Sequence, residues 1–319
     1  MVFIDRYGRP LKKLRASVTR RCNFRCFFCH REGVNRISEE LTPEDFEFVA
    51  KTLSSVGIEE VKLTGGEPLV RRDIVEIVRG MSKYMRVSMT TNGYYLKKYA
   101  KALHDAGLER VNVSLHGLDE EYFTRIVRVP VKPEMILDGI IEALKYMPVK
   151  VNVVILSLNI KDVPRYIALA EEYGFDLQFI ELLGNSYPRK VNPLEVEKIV
   201  ARRARSKYIR KDMQNRVVYV LDSGVKVEFV KPENKNFCIA CTRIRLSHDG
   251  RFMTCLRLPL AIDAYQEIKQ RDEKGLIEKL RLAVKLRSPF IRPERSHRSR
   301  SEPLDLLFLC NPRELYVTL

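Results

Sequence analysis

From Leu14 to about Leu183 the chain alternates short runs of apolar, β-branched residues with longer stretches of helical period, and no other feature restricts the fold as far. Strands alternating with amphipathic helices form parallel βα units, because a parallel neighbour is reached only through a crossover. The strands are expected at Arg15–Thr19, Glu60–Thr64, Val87–Thr91, Arg110–His116, Val149–Leu156 and Leu177–Leu182. Helices are expected at Pro43–Val56, Arg72–Lys83, Leu96–Ala106, Asp119–Val127, Pro133–Tyr146 and Asp162–Tyr173. Thr42-Pro43 followed by Glu44 and Asp45 caps one helix start, and Gly57, Gly107 and Gly174 stand just past helix ends. Units of this kind in a row predict an α/β fold, a partial (β/α)6 barrel of TIM type with its chemistry at the C-terminal strand ends.

After about Gly184 the pattern changes. A basic helix is expected near Leu194–Ser206, then hairpins turning at Asp222-Ser223-Gly224 and His248-Asp249-Gly250, then a long charged helix over Asp263–Leu286. The chain therefore divides into a barrel over residues 1–185 and a smaller C-terminal α+β domain over 186–319. At 319 residues it can bury its core without disulfides. No run approaches the roughly 18 apolar residues of a membrane span, and the start lacks the apolar core of a signal peptide, so the expected compartment is the cytoplasm. The formal charge is +16, with eight basic residues between Lys279 and Arg300 against the single acidic Glu294. A nucleic acid, a polyphosphate or a solvated basic face would each use such charge. Abundant Lys, Arg and Glu with no Trp also suits a thermophile.

Six of the seven cysteines fall into two groups, Cys22, Cys26 and Cys29, and Cys238, Cys241 and Cys255. Cys310 is left over as an ordinary small residue. In a reducing compartment such spacing is read for metal binding. Cys22-Asn23-Phe24-Arg25-Cys26-Phe27-Phe28-Cys29 puts three thiolates on one loop after the first strand, enough for three corners of a cubane cluster with the fourth iron open. A zinc site completed by His30, or accidental proximity, are the alternatives. The second group spans a hairpin, and by spacing alone a zinc knuckle completed by His248 serves equally. Gly65-Gly66-Glu67-Pro68 follows the second strand, Thr91-Asn92-Gly93 ends the third, and Ser114 and His116 end the fourth, all on one rim. Glycines without Cβ would let backbone carbonyls approach a ligand closely, a plain turn being the alternative. Arg243 and Arg245 alternate along a strand and so can face one polyanion.

These motifs together, over residues 11–185, resemble the radical S-adenosylmethionine (SAM) superfamily. The resemblance implies a [4Fe–4S] cluster on Cys22, Cys26 and Cys29 whose open iron binds SAM, an electron from it yielding methionine and a 5′-deoxyadenosyl radical. It implies SAM contacts at Phe28, Gly66, Ser114 and Leu183. The stretch Cys241-Thr-Arg243-Ile244-Arg245-Leu-Ser-His-Asp-Gly-Arg-Phe-Met-Thr-Cys255 resembles the C-terminal segment of the GTP 3′,8-cyclases, in their archaeal-like form. That implies a second [4Fe–4S] cluster on Cys238, Cys241 and Cys255, and GTP contacts at Arg15, Lys62, Thr90, Lys150, Arg243, Ile244 and Arg245. The implied reaction takes hydrogen from ribose C3′ and joins C3′ to guanine C8. Its product, 3′,8-cyclo-7,8-dihydroguanosine triphosphate, would pass to cyclic pyranopterin monophosphate synthase in molybdenum cofactor synthesis. A ferredoxin or flavodoxin is the implied electron donor, no membrane is implied, and a homodimer is compatible.

The departures carry expectations too. Phe28 stands for a tyrosine, Leu183 for a methionine, and Gln178 and Glu60 for basic residues, so triphosphate binding is expected to weaken. Relatives usually end in Gly-Gly where this chain reads Glu314-Leu-Tyr-Val-Thr-Leu319, which implies binding with slow turnover. Other readings are a two-cluster radical SAM enzyme of peptide maturation or tetrapyrrole modification and, from a different class, a basic RNA-binding protein with structural metal sites.

Overall fold

The computed structural model describes residues 2–33, 39–183, 191–258 and 260–289. Cys310, the basic residues beyond 290 and the C-terminal hexapeptide lie outside them. The first half is the expected βα series: β1 (Lys13–Ser17), α1 (Pro43–Ser55), β2 (Glu60–Thr64), α2 (Ile74–Ser82), β3 (Arg86–Thr91), α3 (Leu96–Asp105), β4 (Leu108–Ser114), α4 (Glu120–Val127), α5 (Pro133–Leu144), β5 (Val149–Val154), α6 (Val163–Tyr173) and β6 (Asp176–Ile180). The strands pair in parallel and in sequence order, bearing out the partial barrel.

The remaining elements are α7 (Pro193–Ala201), β7 (Ala204–Arg210), β8 (Arg216–Leu221), β9 (Lys226–Val230), α8 (Lys235–Ile239), β10 (Arg243–Leu246), β11 (Arg251–Met253), β12 (Ala261–Asp263), α9 (Tyr265–Lys269) and α10 (Glu273–Lys285). Their strands extend the barrel sheet at both edges, in the order β12-β11-β10-β1-β2-β3-β4-β5-β6-β9-β8-β7. β10 joins β1 and β9 joins β6 in parallel, while β7, β8, β11 and β12 run antiparallel at the flanks. Both expected hairpins form.

Two expectations need correction. The basic segment after Pro193 stays helical only to Ala201, and Ala204–Arg210 becomes a largely exposed edge strand on β8. A solvated basic helix face and a solvated basic edge strand carry the same side chains, and the open edge of β8 decides between them. The long C-terminal helix is broken. Arg271 adopts a left-handed φ of 58° and Asp272 caps the next helix by accepting from the Gly275 amide.

Strand side chains alternate between two buried environments. Val61 and Leu63, Val111 and Val113, and Val149, Val151 and Val153 pack outward as core. Lys62, Asn112, Lys150, Asn152 and Gln178 point inward, so the barrel interior is a polar cavity and not a filled core. Among the described residues no helix is long and apolar enough to cross a membrane.

The break before α10 is tied to α1 through Asp45. Its carboxylate accepts from the Thr42 amide at 2.9 Å, from Lys269 Nζ at 3.0 Å and from Arg271 Nη1 at 2.8 Å, while Thr42 Oγ1 accepts from the Asp45 amide. Burial pushes this carboxyl up, but the Thr42 amide and the two cations outweigh it and hold it below the usual range. Asp45→Ala should cost about 2 kcal/mol at neutral pH, read as a lower urea midpoint with an unchanged slope. A depressed folded pKa gives stability that is complete above the unfolded value, near ~3.9, and is lost as pH falls through the folded value. The gap between wild type and variant should therefore close on acidification below about pH 4.

Candidate active site

A cavity of about 400 Å³ at the C-terminal ends of the parallel strands is lined by all six grouped cysteines. The first trio sits on the loop after β1, and local bonds shape that loop. The Cys29 amide donates to the Cys26 carbonyl at 3.1 Å, and the amides of Phe24 and Arg31 donate to Cys22 Sγ and Cys29 Sγ, each at 3.4 Å. The Arg25 and Phe27 amides tie the loop to the end of α4, and Phe24 is wedged edge-on between Tyr94 and Phe123. Burial pushes the Cys22 thiol up to about 11 and Cys26 up to about 12, with Glu67 and Cys29 raising the first further and Cys29 and Cys22 the second. A metal bound to these sulfurs would favour their thiolate form.

Gly65 and Gly66 are required by packing. A Cβ on Gly66 would lie 2.1 Å from the Arg21 carbonyl oxygen, and one on Gly65 would lie 2.4 Å from that of Thr19. The bare backbone instead donates from Gly66 to Thr19 O at 2.7 Å and from Glu67 to Arg21 O at 2.8 Å. The space freed by these glycines is taken up by the cysteine loop. Glu67 then accepts from Thr91 Oγ1 at 2.5 Å and from the Asn92 and Leu69 amides, linking β2 to β3, while Asn92 donates to Asn23 in the loop. Burial still raises the Glu67 carboxyl to about 7. Phe28, Gly66, Ser114 and Leu183 all line the cavity. Beside Ser114, His116 packs edge-on against Phe28, and burial drops its pKa to about 4. It is neutral, with Nδ1 accepting from the Val154 amide at 3.2 Å.

The second trio faces the same cavity. Cys238 lies in α8, Cys241 between α8 and β10, and Cys255 just after β11. Burial opposes a thiolate at Cys241, but Arg287 and Arg243 outweigh it and lower that pKa, whereas burial raises Cys255. Among the described residues no three Cys, His, Asp or Glu side chains are grouped closely enough to hold a single metal ion. Three thiols on each of two cavity walls suit clusters, in which each thiolate binds its own iron.

Six of the seven expected GTP contacts line the cavity: Arg15, Lys62, Thr90, Lys150, Arg243 and Arg245. Register explains the convergence, since Arg15 is the partner of Lys62 on β2 and of Arg245 on β10. Ile244, between the two arginines, is fully buried in the core on the opposite face, so its side chain is not at the cavity. Lys62 donates to Asn112 Oδ1 at 2.7 Å, and burial together with Arg110, Arg15, Arg243 and Lys150 pushes its pKa well down. Arg243 falls to about 9, through burial and then its neighbour Arg216.

Several cavity residues are not flagged by sequence patterns. Glu32 takes a bidentate hydrogen bond from Arg15, at 2.7 and 3.0 Å, and pairs with Arg245. Glu228 on β9 pairs with Lys150 at 2.8 Å and with Arg210 and Arg216 at 3.5 and 3.6 Å. Arg216 on β8 donates to Gln178 Oε1 at 2.9 Å and to Gln214 Oε1 at 3.1 Å, while its buried Nε has no partner among the described residues. This revises the expected charge deficit. Gln178 hands its place to Arg216, and Glu60 is not a cavity residue, pairing instead with Lys13 and Arg86. Eleven Lys or Arg side chains line the cavity against Glu32, Glu67 and Glu228, a basic surplus that suits an anionic occupant.

Comparison with known proteins agrees with this arrangement. The radical SAM superfamily model matches residues 16–170 and the Molybdenum Cofactor Synthesis C model matches residues 175–292. The probable GTP 3′,8-cyclase of Thermoplasma volcanium is 42% identical over 311 residues, covering 92% of this chain and 94% of its own. That of Thermococcus kodakarensis is 41% identical over 304 residues, covering 90% and 98%. Among solved structures, SuiB of Streptococcus suis superposes with a TM-score of 0.64 at 14% identity, over 86% of this chain and 69% of that one, which shows a shared fold alone. With both halves matched and the relatives spanning nearly the whole chain, the protein belongs to the GTP 3′,8-cyclase family of the radical SAM superfamily, whose members use a [4Fe–4S] cluster and SAM.

Proposed function

We propose that the chain converts GTP to 3′,8-cyclo-7,8-dihydroguanosine triphosphate, with SAM held at one end of the cavity and GTP between two cysteine trios. The observation that carries this reading is the opening of both trios and a surplus of basic side chains onto one cavity. Residues 1–185 supply the first trio, on Cys22, Cys26 and Cys29. Residues 186–319 supply Cys238, Cys241 and Cys255 for a second [4Fe–4S] cluster. When SAM is bound on the first cluster and one electron is delivered, it supplies a 5′-deoxyadenosyl radical. Phe28, Gly66, Ser114 and Leu183 contact SAM, and neutral His116 braces the Phe28 ring without adding charge beside a sulfonium.

Arg15, Lys62, Thr90, Lys150, Arg243 and Arg245 hold the triphosphate, and Arg216 joins them. Glu32 pairs with the guanidiniums of Arg15 and Arg245 and so holds both side chains toward the place where phosphate oxygens would bind. Phe24, Val127, Val154, Ile180 and Val230 line the apolar part of the cavity, which shields a carbon radical from solvent. A ferredoxin or flavodoxin supplies the electron, and a cyclic pyranopterin monophosphate synthase takes the product.

Anaerobically reconstituted protein given SAM, reductant and GTP should release 5′-deoxyadenosine and a nucleotide with a C3′–C8 bond. Cys22→Ser, Cys26→Ser and Cys29→Ser should each drop 5′-deoxyadenosine to background, and wild-type release from any of them would remove the first trio from this role.

Arg216→Ala should weaken GTP binding by about 2 kcal/mol, or ~30-fold in Kd, because a charge-assisted contact to phosphate is lost. Arg243→Ala with Arg245→Ala should weaken it at least as much. Iron content should not change in either variant. Calorimetric titration with GTP on iron-replete protein checks both, and unchanged affinity counts against the assignment.

A further inference from the structure

We infer that Asp5, Arg9 and Arg287 form a clamp that positions the second cysteine trio and sets net positive charge against its cluster. The inference rests on reading Cys238, Cys241 and Cys255 as cluster ligands. Three distant stretches of chain meet here. Arg9 Nε donates to Asp5 Oδ2 at 2.7 Å, and Arg287 Nη1 lies 3.0 Å from the same oxygen. Asp5 Oδ1 accepts from the Tyr7 and Arg9 amides, so the carboxylate is fixed by its own turn. The outer nitrogens of both guanidiniums reach the ligand loop. Arg9 Nη1 donates to the Cys238 carbonyl at 2.9 Å, and Arg287 Nη2 donates to the Cys241 carbonyl. Within the loop the Cys241 amide donates to the Cys238 carbonyl at 3.1 Å. The loop is thus closed by its own backbone inside and gripped by two cations outside.

Simple anchoring of the chain ends does not account for the chemistry chosen. Side-chain exposure is 7% for Arg9, 2% for Arg287 and 0% for Asp5. Burying two guanidiniums on one carboxylate leaves one positive charge without a counter-ion, and an unbalanced buried charge is more costly than apolar packing in the same space. A cubane core carried by three thiolates is a net anion, and both clamp arginines line the cavity wall that bears the trio. The surplus cation and the anionic cluster balance each other. Arg9 also donates to the Ser288 carbonyl at 2.7 Å and the Pro289 carbonyl at 3.2 Å, so the clamp fixes the point from which the C-terminal segment departs. Groups that orient ligands from outside the coordination sphere tune both affinity and potential. Cations beside a cluster stabilise its reduced, more negative state, so removing one should move its midpoint potential to more negative values.

The test uses the full chain with Cys22, Cys26 and Cys29 changed to Ser, which isolates the second cluster. After anaerobic reconstitution this background should hold about four irons. If it holds none, the second cluster and its clamp both fall. With the cluster present, Arg287→Met should release iron to a chelator about tenfold faster and show a more negative midpoint potential in a redox titration followed by electron paramagnetic resonance. Arg287→Lys, which keeps the charge but loses the planar fork, should release iron faster while its potential moves less. Should Arg287→Met fail to fold, Arg287→Lys and Arg9→Lys carry the test through iron release alone. A lowered melting temperature with unchanged iron retention and unchanged potential would assign the three residues to anchoring only and overturn the proposal.

Discussion

β10 lies parallel to β1 with Arg243 opposite Lys13 and Arg245 opposite Arg15, and the site depends on that pairing. It closes one edge of the barrel with a strand from the second half of the chain. It also fixes where the second trio falls, because Cys241 lies two residues before β10 and Cys255 follows its hairpin partner. The first trio leaves the C-terminal end of β1 itself. One strand pair therefore sets both cysteine loops and the central arginines about a single cavity. A slip of one residue in this register would turn Arg243 and Arg245 into the core and Ile244 into the cavity.

Such an arrangement carries an electrostatic cost. Burial, and then the neighbouring cations, depress the proton affinity of Lys62, Arg216 and Arg243, whereas Glu32 holds that of Arg15 up. Two carboxylates from different segments moderate it, Glu32 between Arg15 and Arg245, and Glu228 among Lys150, Arg210 and Arg216. They do not neutralise it. A site that remains cationic after its internal counter-ions are counted suits a ligand of several negative charges, which favours the proposed triphosphate over a peptide.

Much of this was legible in the sequence, for reasons that can be traced. Alternation of apolar and helical periods survives burial because it is local, so β1 to β6 and their helices fell within a few residues of expectation. Cysteine spacing is likewise local, and each trio spans few residues. Arg216, Glu228 and Glu32 were not legible, since a lone charged residue in a basic chain looks like solvated surface until tertiary pairing buries it. Gln178 shows the limit clearly. Position by position it reads as a lost charge, yet its side chain accepts from Arg216 and so brings the charge back from another strand. Asp5 and Arg9 were invisible for the same reason, their partners lying more than two hundred residues away.

The glycine pair after β2 shows how sequence and site are joined by packing. The expectation was that Gly65 and Gly66 lack side chains so that a ligand can approach. In the structure the close approach is made by the backbone of residues 19–21, which carries directly into the cysteine loop. The two accounts differ in what a side chain would disturb. A methyl group on Gly66 would first displace the Arg21 carbonyl, and with it the start of the loop bearing Cys22, before it met any ligand. Glu67, held by Thr91 and the Asn92 amide, and Asn92, held to Asn23, extend the same brace across β3. The first trio is therefore positioned by three adjacent strand ends acting together, through backbone and side-chain bonds that belong to the polypeptide itself.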